Sequence, residues 1–383
     1  MFEFATATRI MFGRGSVTQA LPAITQFGAR ALVVQGFAEK YAQPILDSFK
    51  AEGISLTVYR VRGEPTIQSV QQAIESARQH QAEMVIALGG GSAIDTAKAV
   101  AAMLANPGEL LDYLEVVGKG QTLRNPSLPC ITIPTTSGTG SEVTRNAVLE
   151  VPEKSVKVSL RSAYMLPNLA VVDPELTLSL PPRSTASSGL DALTQVIEPF
   201  VSSKANPLVS ALCREGIQRA GRSLRRAVFD GGDYPAREDM AITSLIGGLA
   251  LANAGLGAVH GFAAPLGGMF HAPHGAICGR LLPSVMQVNF NVLQEREPDH
   301  PAILRYQEIA ILLTGDTAAQ PQDAIEWVNE TCSLLDVPGL STYGIAATDF
   351  PAIVKKARQA NSMKANPILL SDADLTRVLQ MSL

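Results

Sequence analysis

The chain has 383 residues, of which 46% are hydrophobic and 17% are charged. This length suits two domains, and the composition excludes a disordered chain because it supplies enough apolar material for sizeable cores. The net charge of −4 argues against nucleic acid or an anionic membrane surface as the main partner.

Cysteine usage and the N-terminus both indicate a cytoplasmic protein. The four cysteines, Cys130, Cys213, Cys278 and Cys332, lie far apart without CxxC spacing, which is typical of reduced thiols. The chain does not open with a basic segment followed by a long apolar one, so we predict no secretory signal. It also lacks an uninterrupted run of about 18 apolar residues, so we predict no membrane-spanning segment.

The first 180 residues or so alternate short apolar runs with helical patterns. In chain order we predict strands at 31–34, 56–61, 84–88 and 130–133, with helices at 38–51, 69–80 and 93–104 between them. This alternation predicts an α/β domain with a mainly parallel, doubly wound sheet over residues 1–180.

The pattern changes after Leu180-Pro181-Pro182. Beyond this point we predict helices at 189–201, 207–225, 234–254, 301–314 and 322–335, with few strand signals. A double proline continues neither a helix nor a strand easily, so it is a natural boundary. The sequence therefore predicts an all-α domain over residues 181–383.

A glycine triplet at positions 89–91 lies between a predicted strand and a predicted helix. Glycines let the backbone approach a pyrophosphate closely, and the N-terminus of the following helix binds its charge. We expect Ser92 to cap that helix and Asp95 to lie in its first turn. The alternative is a tight turn that binds no ligand.

A second loop, TTSGTGSE at positions 135–142, follows the next predicted strand and is dense in hydroxyls and glycines. Open α/β sheets bind ligands at the carboxyl ends of their strands. Two such loops on consecutive strands favour a ligand site over simple turns.

Four ordered motifs, GGGSAIDTAK, PTTSGTGSE, DPELTLSLPP and GLDALTQVIEPFVS, resemble the iron-containing alcohol dehydrogenase family over residues 10–282, with a fainter match near Asn366-Pro367. The resemblance implies an NAD(P)-binding domain joined to a helical metal domain, a homodimer, and hydride transfer between NAD(P)H and a small alcohol or aldehyde. By matching positions it implies cofactor contacts from Gly36, Gly90, Gly91, Ser92, Asp95, Thr135, Thr136 and Lys157.

Gly36 bears on which nicotinamide cofactor binds, because many members of the family carry an aspartate at this position. A carboxylate there would bond the adenosine ribose and repel a 2′-phosphate. Glycine removes that repulsion, so we favour NADP over NAD, although no arginine is adjacent to hold the phosphate.

Three of the five histidines, His260, His271 and His274, cluster in an apolar segment. The resemblance implies that Asp191, His260 and His274 are metal ligands and catalytic residues. The family's fourth ligand, a histidine, matches Gln195 here, one helical turn after Asp191. The expected metal is Fe²⁺ or Zn²⁺. Because an amide oxygen is a weaker ligand than imidazole, three arrangements of the site stay open.

In the first arrangement the three matching ligands hold the metal and Gln195 or water completes it. In the second, His271 replaces the missing histidine. In the third, no metal binds and hydrogen bonds alone drive reduction. A second departure is Ala264, where many members have a histidine that relays the alcohol proton. Either water, His271 or a cofactor ribose hydroxyl is then the relay, or the substrate supplies its own acid. His271 is therefore a catalytic candidate.

Substrate identity is barely visible in the sequence, and we expect Asn146, Phe262, Met269 and Phe270 to line the substrate pocket. Two other functions remain open. One is a maleylacetate reductase-like or other acid-semialdehyde reductase without a standard metal site, and the other is a non-catalytic nucleotide-binding protein.

Overall fold

The computed structural model describes residues 1–154 and 156–383 and divides them into two units. The α/β unit comprises Ala5–Thr136 and Gly140–Leu178, and the helical unit comprises Met1–Phe4, Ser137–Thr139 and Ser179–Leu383. The TTSGTGSE loop therefore contributes residues to both units.

Strands lie in the first of these units. They are β1 (Ile10–Phe12), β2 (Arg30–Gln35), β3 (Ser55–Arg60), β4 (Met84–Gly89), β5 (Cys130–Pro134), β6 (Asn146–Val151), β7 (Val156–Arg161) and β8 (Leu169–Val172). Six of them form a parallel sheet in the order β1-β8-β5-β4-β2-β3, while β6 and β7 form an antiparallel pair.

Helices occur in both units. The α/β unit carries α1 (Ser16–Ile24), α2 (Glu39–Ala51), α3 (Ile67–Gln79), α4 (Gly91–Ala105) and α5 (Leu110–Tyr113). The helical unit carries α6 (Pro182–Val201), α7 (Pro207–Phe229), α8 (Tyr234–Ala254), α9 (Ala258–Phe270), α10 (His274–Arg296), α11 (Pro301–Thr314), α12 (Pro321–Leu334), α13 (Phe350–Gln359) and α14 (Asp372–Ser382).

Both faces of the parallel sheet are buried, which confirms the predicted doubly wound arrangement. Along β2, Leu32 and Val34 belong to one hydrophobic core, whereas Ala31 and Val33 belong to another. Successive side chains of a strand point to opposite faces, so two cores on alternating residues require layers on both sides.

The strand order reverses at β2, which pairs with β3 on one side and β4 on the other. The chain runs outward from β2 to β3, then returns to β4 and continues to β5. Such a switch point opens a crevice at the carboxyl ends of the two central strands, where doubly wound sheets bind nucleotides. Here those ends lead into Gly36 and Gly90.

The start of α4 differs from the prediction. Gly90 is the N-cap residue in extended conformation, the helix begins at Gly91, and no side chain caps it. The prediction that Ser92 caps α4 is therefore wrong, and Asp95 lies beyond the first turn. The reason is that the glycine triplet lets the helix begin earlier than the apolar pattern indicates.

The first helix of the helical unit also begins earlier than predicted. Helix α6 starts at Pro182 rather than at residue 189, because proline is well suited to the first helical position, where no hydrogen bond from its nitrogen is needed. Helices α9 and α10 were not predicted, since the segment that forms them is rich in apolar residues and glycine and shows little periodic contrast.

Within residues 1–154 and 156–383, no single helix has the length and apolar character needed to cross a membrane. Only α8 and α9 taken together satisfy that test, as a pair bent by 100° at the break between them.

A buried lysine ties α4 to the segment that follows β5. The side chain of Lys98 is fully buried, and its Nζ donates to the carbonyl of Ser141 at 2.9 Å and to the hydroxyls of Ser141 and Thr144 at 2.7 and 2.9 Å. Asp95 Oδ1 lies 3.1 Å from the same nitrogen, and Asp95 Oδ2 accepts from the backbone N–H of Val148 at 3.0 Å. This network ties α4, which follows the glycine triplet, to the end of the TTSGTGSE loop.

We expect Lys98→Met to lower the free energy of unfolding by about 3 kcal/mol, because removing one member of a buried ion pair leaves the other without compensation. The matched control is Lys50→Met, since Lys50 pairs with Asp47 at the same i,i+3 spacing and 3.2 Å but is exposed. That variant should lose at most about 0.5 kcal/mol. Urea denaturation of the three proteins measures the difference, and equal losses would contradict the role given to Lys98.

Candidate active site

Four side chains that can bind a metal converge inside the helical unit. They are Asp191 on α6, His260 on α9, and His274 and Cys278 on α10, and each offers one ligand atom within 4.8 Å of the other three. We call them the four-donor cluster. The sequence predicted three of its members and missed Cys278.

Four separations between donor atoms of the cluster are short and similar to one another. Asp191 Oδ1 lies 3.4 Å from His260 Nε2 and 3.6 Å from His274 Nε2. Cys278 Sγ lies 3.8 Å from His260 Nε2 and 3.7 Å from His274 Nε2. Both imidazoles therefore present the same ring nitrogen to the carboxylate and the sulfur.

Burial and an unmet acceptor show that a cation fits here. The side chain of Asp191 is 3% exposed, and its Oδ1 has no hydrogen-bond partner among the described residues. A buried carboxylate oxygen without a partner is costly, so it indicates a ligand that can bind it. Carboxylate, imidazole and thiolate are together a donor set that divalent transition metals bind.

Glu198 orients His260 through Nδ1, the ring nitrogen that does not face the cluster. Its Oε2 lies 2.7 Å from His260 Nδ1, and its Oε1 accepts from the backbone N–H of Val259 at 2.7 Å. When Nδ1 carries the proton, Nε2 keeps its lone pair for the cluster, as in metal sites where a carboxylate holds the ligand histidine. Sequence reasoning missed Glu198, although it lies two helical turns after Asp191 on one face of α6.

The groups of the cluster shift one another's pKa values. Burial raises the pKa of Asp191, but the neighbouring His274 and His260 outweigh this and hold it below its usual value. Burial opposes protonation of His274, yet interactions with Cys278 and Asp191 raise its pKa to about 9. His260 likewise has a pKa raised well above its usual value, despite burial, by Cys278, Asp191 and Glu198.

Gln195 lies on α6, one helical turn after Asp191 as predicted, and is buried. Its Nε2 donates to the carbonyl of Gly138 at 3.1 Å, while its Oε1 has no partner among the described residues. Gln195 thus holds part of the TTSGTGSE loop that belongs to the same unit. Its role as a metal ligand stays a prediction.

The structure places His271 outside the four-donor cluster. It is exposed and ends α9 in left-handed conformation, with φ of 52°. Ala264 is half-buried on the same helix. Phe262 is fully buried, because its ring packs in the hydrophobic core of the helical unit. The prediction that it lines a substrate pocket is therefore wrong.

In the α/β unit, the crevice at the switch point is lined by glycines at close range. A Cβ on Gly89 would lie 2.8 Å from Gly36 Cα, and one on Gly90 would lie 3.1 Å from Thr136 Oγ1. The backbone N–H of Gly36 donates to the carbonyl of Leu88 at 2.9 Å. Larger residues would clash with these atoms, so the glycines let the ends of β2 and β4 and the start of α4 pack closely together.

The other predicted cofactor residues fall into two groups. Gly91 and Ser92 form the first turn of α4, where backbone N–H groups lack partners within the helix, and Thr135 follows β5. Asp95 is occupied by Lys98 and by backbone, and Lys157 on β7 lies 3.4 Å from Glu64. The first group is well placed for an anion, whereas the second already has partners in the protein.

Two family models match nearly the whole chain. The model of iron-containing alcohol dehydrogenase matches residues 7–174, and the model of the C-terminal region of the Fe-containing alcohol dehydrogenase family matches residues 185–383. Together they cover both units on either side of the double proline.

Individual proteins agree with the family models. Long-chain-alcohol dehydrogenase 1 of Geobacillus thermodenitrificans is 42% identical over 283 residues, covering 72% of this chain and 70% of that protein. The structure of an alcohol dehydrogenase from Oenococcus oeni superposes with a TM-score of 0.92 at 28% identity, covering 100% of both chains.

A third relative was solved with a cofactor. The sulfoacetaldehyde reductase of Bifidobacterium kashiwanohense, in complex with NAD⁺, superposes with a TM-score of 0.87 at 28% identity, covering 100% of this chain and 98% of that one. With the four-donor cluster and the glycine-lined crevice, these matches establish the class of the protein. The chain belongs to the iron-containing alcohol dehydrogenase family and is an NAD(P)-linked oxidoreductase that acts on alcohols and aldehydes.

Proposed function

We propose that this chain interconverts a small alcohol and its aldehyde, with NADP as the preferred cofactor and a divalent cation held by Asp191, His260 and His274. One observation supports this position for the cation. The buried Oδ1 of Asp191 has no hydrogen-bond partner among the described residues and is faced by two imidazole nitrogens at 3.4 and 3.6 Å. A homodimer and a cytoplasmic location stay predictions from the sequence.

Each residue of the proposed site has a distinct task. Asp191 supplies negative charge that offsets the cation, and the two histidines supply nitrogen donors. Glu198 is a positioning residue, since it keeps the proton of His260 on Nδ1. The cation, when bound, supplies Lewis acidity that stabilises negative charge on the substrate oxygen.

The cofactor is proposed to bind at the switch point of the sheet. Its pyrophosphate would accept hydrogen bonds from backbone N–H groups at the start of α4, formed by Gly90, Gly91 and Ser92. Thr136 lies beside Gly90 and adds a hydroxyl to the same place. When bound, NAD(P)H would supply the hydride for reduction of the substrate carbon.

Proton transfer does not run through position 264, because Ala264 carries no titratable group. The side chain of His274 is 37% exposed, so solvent reaches the four-donor cluster from that side. Water entering there is the relay that we favour, and His271 remains the alternative.

The completeness of the cluster bears on the rival functions. Burying four convergent donors costs desolvation free energy. A reductase that works without a metal, or a protein that only binds nucleotide, has no need of such a cluster. The metal-assisted dehydrogenase is therefore the function that the geometry supports best.

The direct test is NADPH oxidation over a panel of small aldehydes, before and after metal removal with a chelator. We expect turnover with unbranched or hydroxylated aldehydes, loss of most of it in the metal-free protein, and recovery when Zn²⁺ or Fe²⁺ is added back. Undiminished turnover after rigorous metal removal would exclude the Lewis-acid role, and nucleotide binding without turnover on any carbonyl would favour a non-catalytic protein.

Cofactor preference is tested at Gly36. We expect Gly36→Asp to lower the ratio of kcat/KM for NADPH to that for NADH by about tenfold, because the added carboxylate repels the 2′-phosphate. Any Cβ at this position would lie 3.1 Å from Ala93 Cβ, so Gly36→Ala is the control for crowding. Gly36→Ala should affect both cofactors alike. An unchanged ratio in Gly36→Asp would place the adenosine ribose elsewhere.

The role of Glu198 is tested by Glu198→Gln. In glutamine one of the two carboxylate oxygens is replaced by an NH2 donor, so Val259 N–H and His260 Nδ1–H no longer each face an acceptor oxygen, and the imidazole loses its fixed tautomer. We expect metal affinity to fall by about 10–100-fold in a competition titration with a chelating dye. Glu142→Gln is the control, since Glu142 is equally buried but belongs to the α/β unit. Equal affinity in both variants would argue against the positioning role.

A further inference from the structure

We propose that Cys278 is the fourth protein ligand of the metal and that the site is a zinc-type Asp-His-His-Cys centre. The inference rests on the proposed function only in that Asp191, His260 and His274 hold a cation. The new element is the sulfur, which takes the place of the ligand missing at Gln195.

Four donor–donor separations agree with a tetrahedral arrangement of the protein ligands, to which a substrate oxygen would add as a fifth donor. Zinc–nitrogen and zinc–oxygen bonds of about 2.0–2.1 Å and a zinc–sulfur bond of about 2.3 Å put neighbouring donors about 3.4 Å apart for nitrogen and oxygen and about 3.6 Å apart for nitrogen and sulfur. The structure has 3.4 and 3.6 Å from Asp191 Oδ1 to the two nitrogens. It has 3.8 and 3.7 Å from Cys278 Sγ to the same nitrogens. These four separations lie within about 0.2 Å of the tetrahedral values, so Asp191 and Cys278 are both spaced from the two imidazoles as ligands of one ion would be.

The placement on helices explains how the sulfur replaces the lost histidine. Asp191 and Gln195 are four residues apart on α6, and His274 and Cys278 are four residues apart on α10. Residues at this spacing lie on one face of a helix and reach one ion together. The paired ligands have therefore moved from α6 to α10, and the cluster still has four donors.

Gln195 is a poor competitor for that fourth place. It is neutral, and its Nε2 is already engaged with the carbonyl of Gly138. Cys278 is fully buried beside two imidazoles, and a thiolate adds the negative charge that an amide lacks. With Asp191, it would balance the two positive charges of the ion.

The sulfur also points to the kind of metal. Thiolate is a soft ligand, and tetrahedral sites that combine sulfur with nitrogen are typical of zinc. An all-nitrogen-and-oxygen set, such as the family's histidines and aspartate, has no such preference. We therefore expect Zn²⁺ rather than Fe²⁺ to be the ion that this chain retains on purification.

The test replaces the metal with Co²⁺, which reports its ligands through absorption spectra. Metal-free full-length protein titrated with Co²⁺ should bind one ion per chain and develop a near-ultraviolet charge-transfer band from a cobalt–sulfur bond. In Cys278→Ser that band should vanish, and affinity for Zn²⁺ should fall by about 100-fold. Neither readout depends on catalytic activity.

The matched control is Cys332→Ser. Cys332 is also buried in the helical unit, and its Sγ donates to the carbonyl of Gly279, next to Cys278 in the chain. This variant should keep the charge-transfer band and the affinity of the unmodified protein. Gln195→His combined with Cys278→Ser should recover metal affinity without the band, because it restores an i,i+4 pair on α6.

The outcomes separate the inference from the function beneath it. One Co²⁺ per chain without a charge-transfer band overturns the role of Cys278 and leaves the three-ligand site intact. Absence of Co²⁺ binding to the unmodified protein overturns both. Because the spectrum of the unmodified protein decides these cases by itself, a Cys278 variant that fails to fold does not remove the test.

Discussion

A carboxylate buried inside the helical unit is the constraint on which the metal centre depends. Asp191 is charged, 3% exposed and without a hydrogen bond on Oδ1 among the described residues. Burying such a group is unfavourable unless a cation compensates it. His260 on α9 and His274 on α10 both face this oxygen. The positions of these two helices relative to α6 therefore determine the geometry of the metal site.

The loss of one ligand and the gain of another illustrate what such a site must preserve. The number of donors and their distances set the stability of a metal centre, whereas the helix that supplies each donor is free to vary. With glutamine at position 195, the carboxylate keeps its place and a sulfur from α10 completes the set. Glu198 then fixes the direction of His260 from the opposite side.

The α/β unit solves a different problem, which is how to bring backbone close to an anion. Gly36 and Gly89 approach so closely that a Cβ on Gly89 would lie 2.8 Å from Gly36 Cα. The buried pair of Lys98 and Asp95 ties α4 to the segment that follows β5. Flexible glycines are useful for binding only when rigid neighbours fix their position, and this unit supplies both.

Much of this could be predicted from the sequence. The alternation of apolar runs and helical patterns indicated the parallel sheet, and the glycine triplet marked its ligand-binding edge. The sequence did not reveal Cys278, because its four-residue spacing from His274 carries meaning only once α10 is known to begin at His274. Helices α9 and α10 escaped prediction because their sequences show little periodic contrast between apolar and polar residues. Ser92 was misplaced as a cap because glycine shifts the start of α4.

X-ray absorption at the metal edge of the zinc-loaded protein tests the central claim most directly, because it counts the sulfur atoms around the ion. The four-donor cluster predicts one zinc per chain with one sulfur neighbour at about 2.3 Å and nitrogen or oxygen neighbours at about 2.0–2.1 Å. A spectrum that requires only nitrogen and oxygen neighbours would contradict the account.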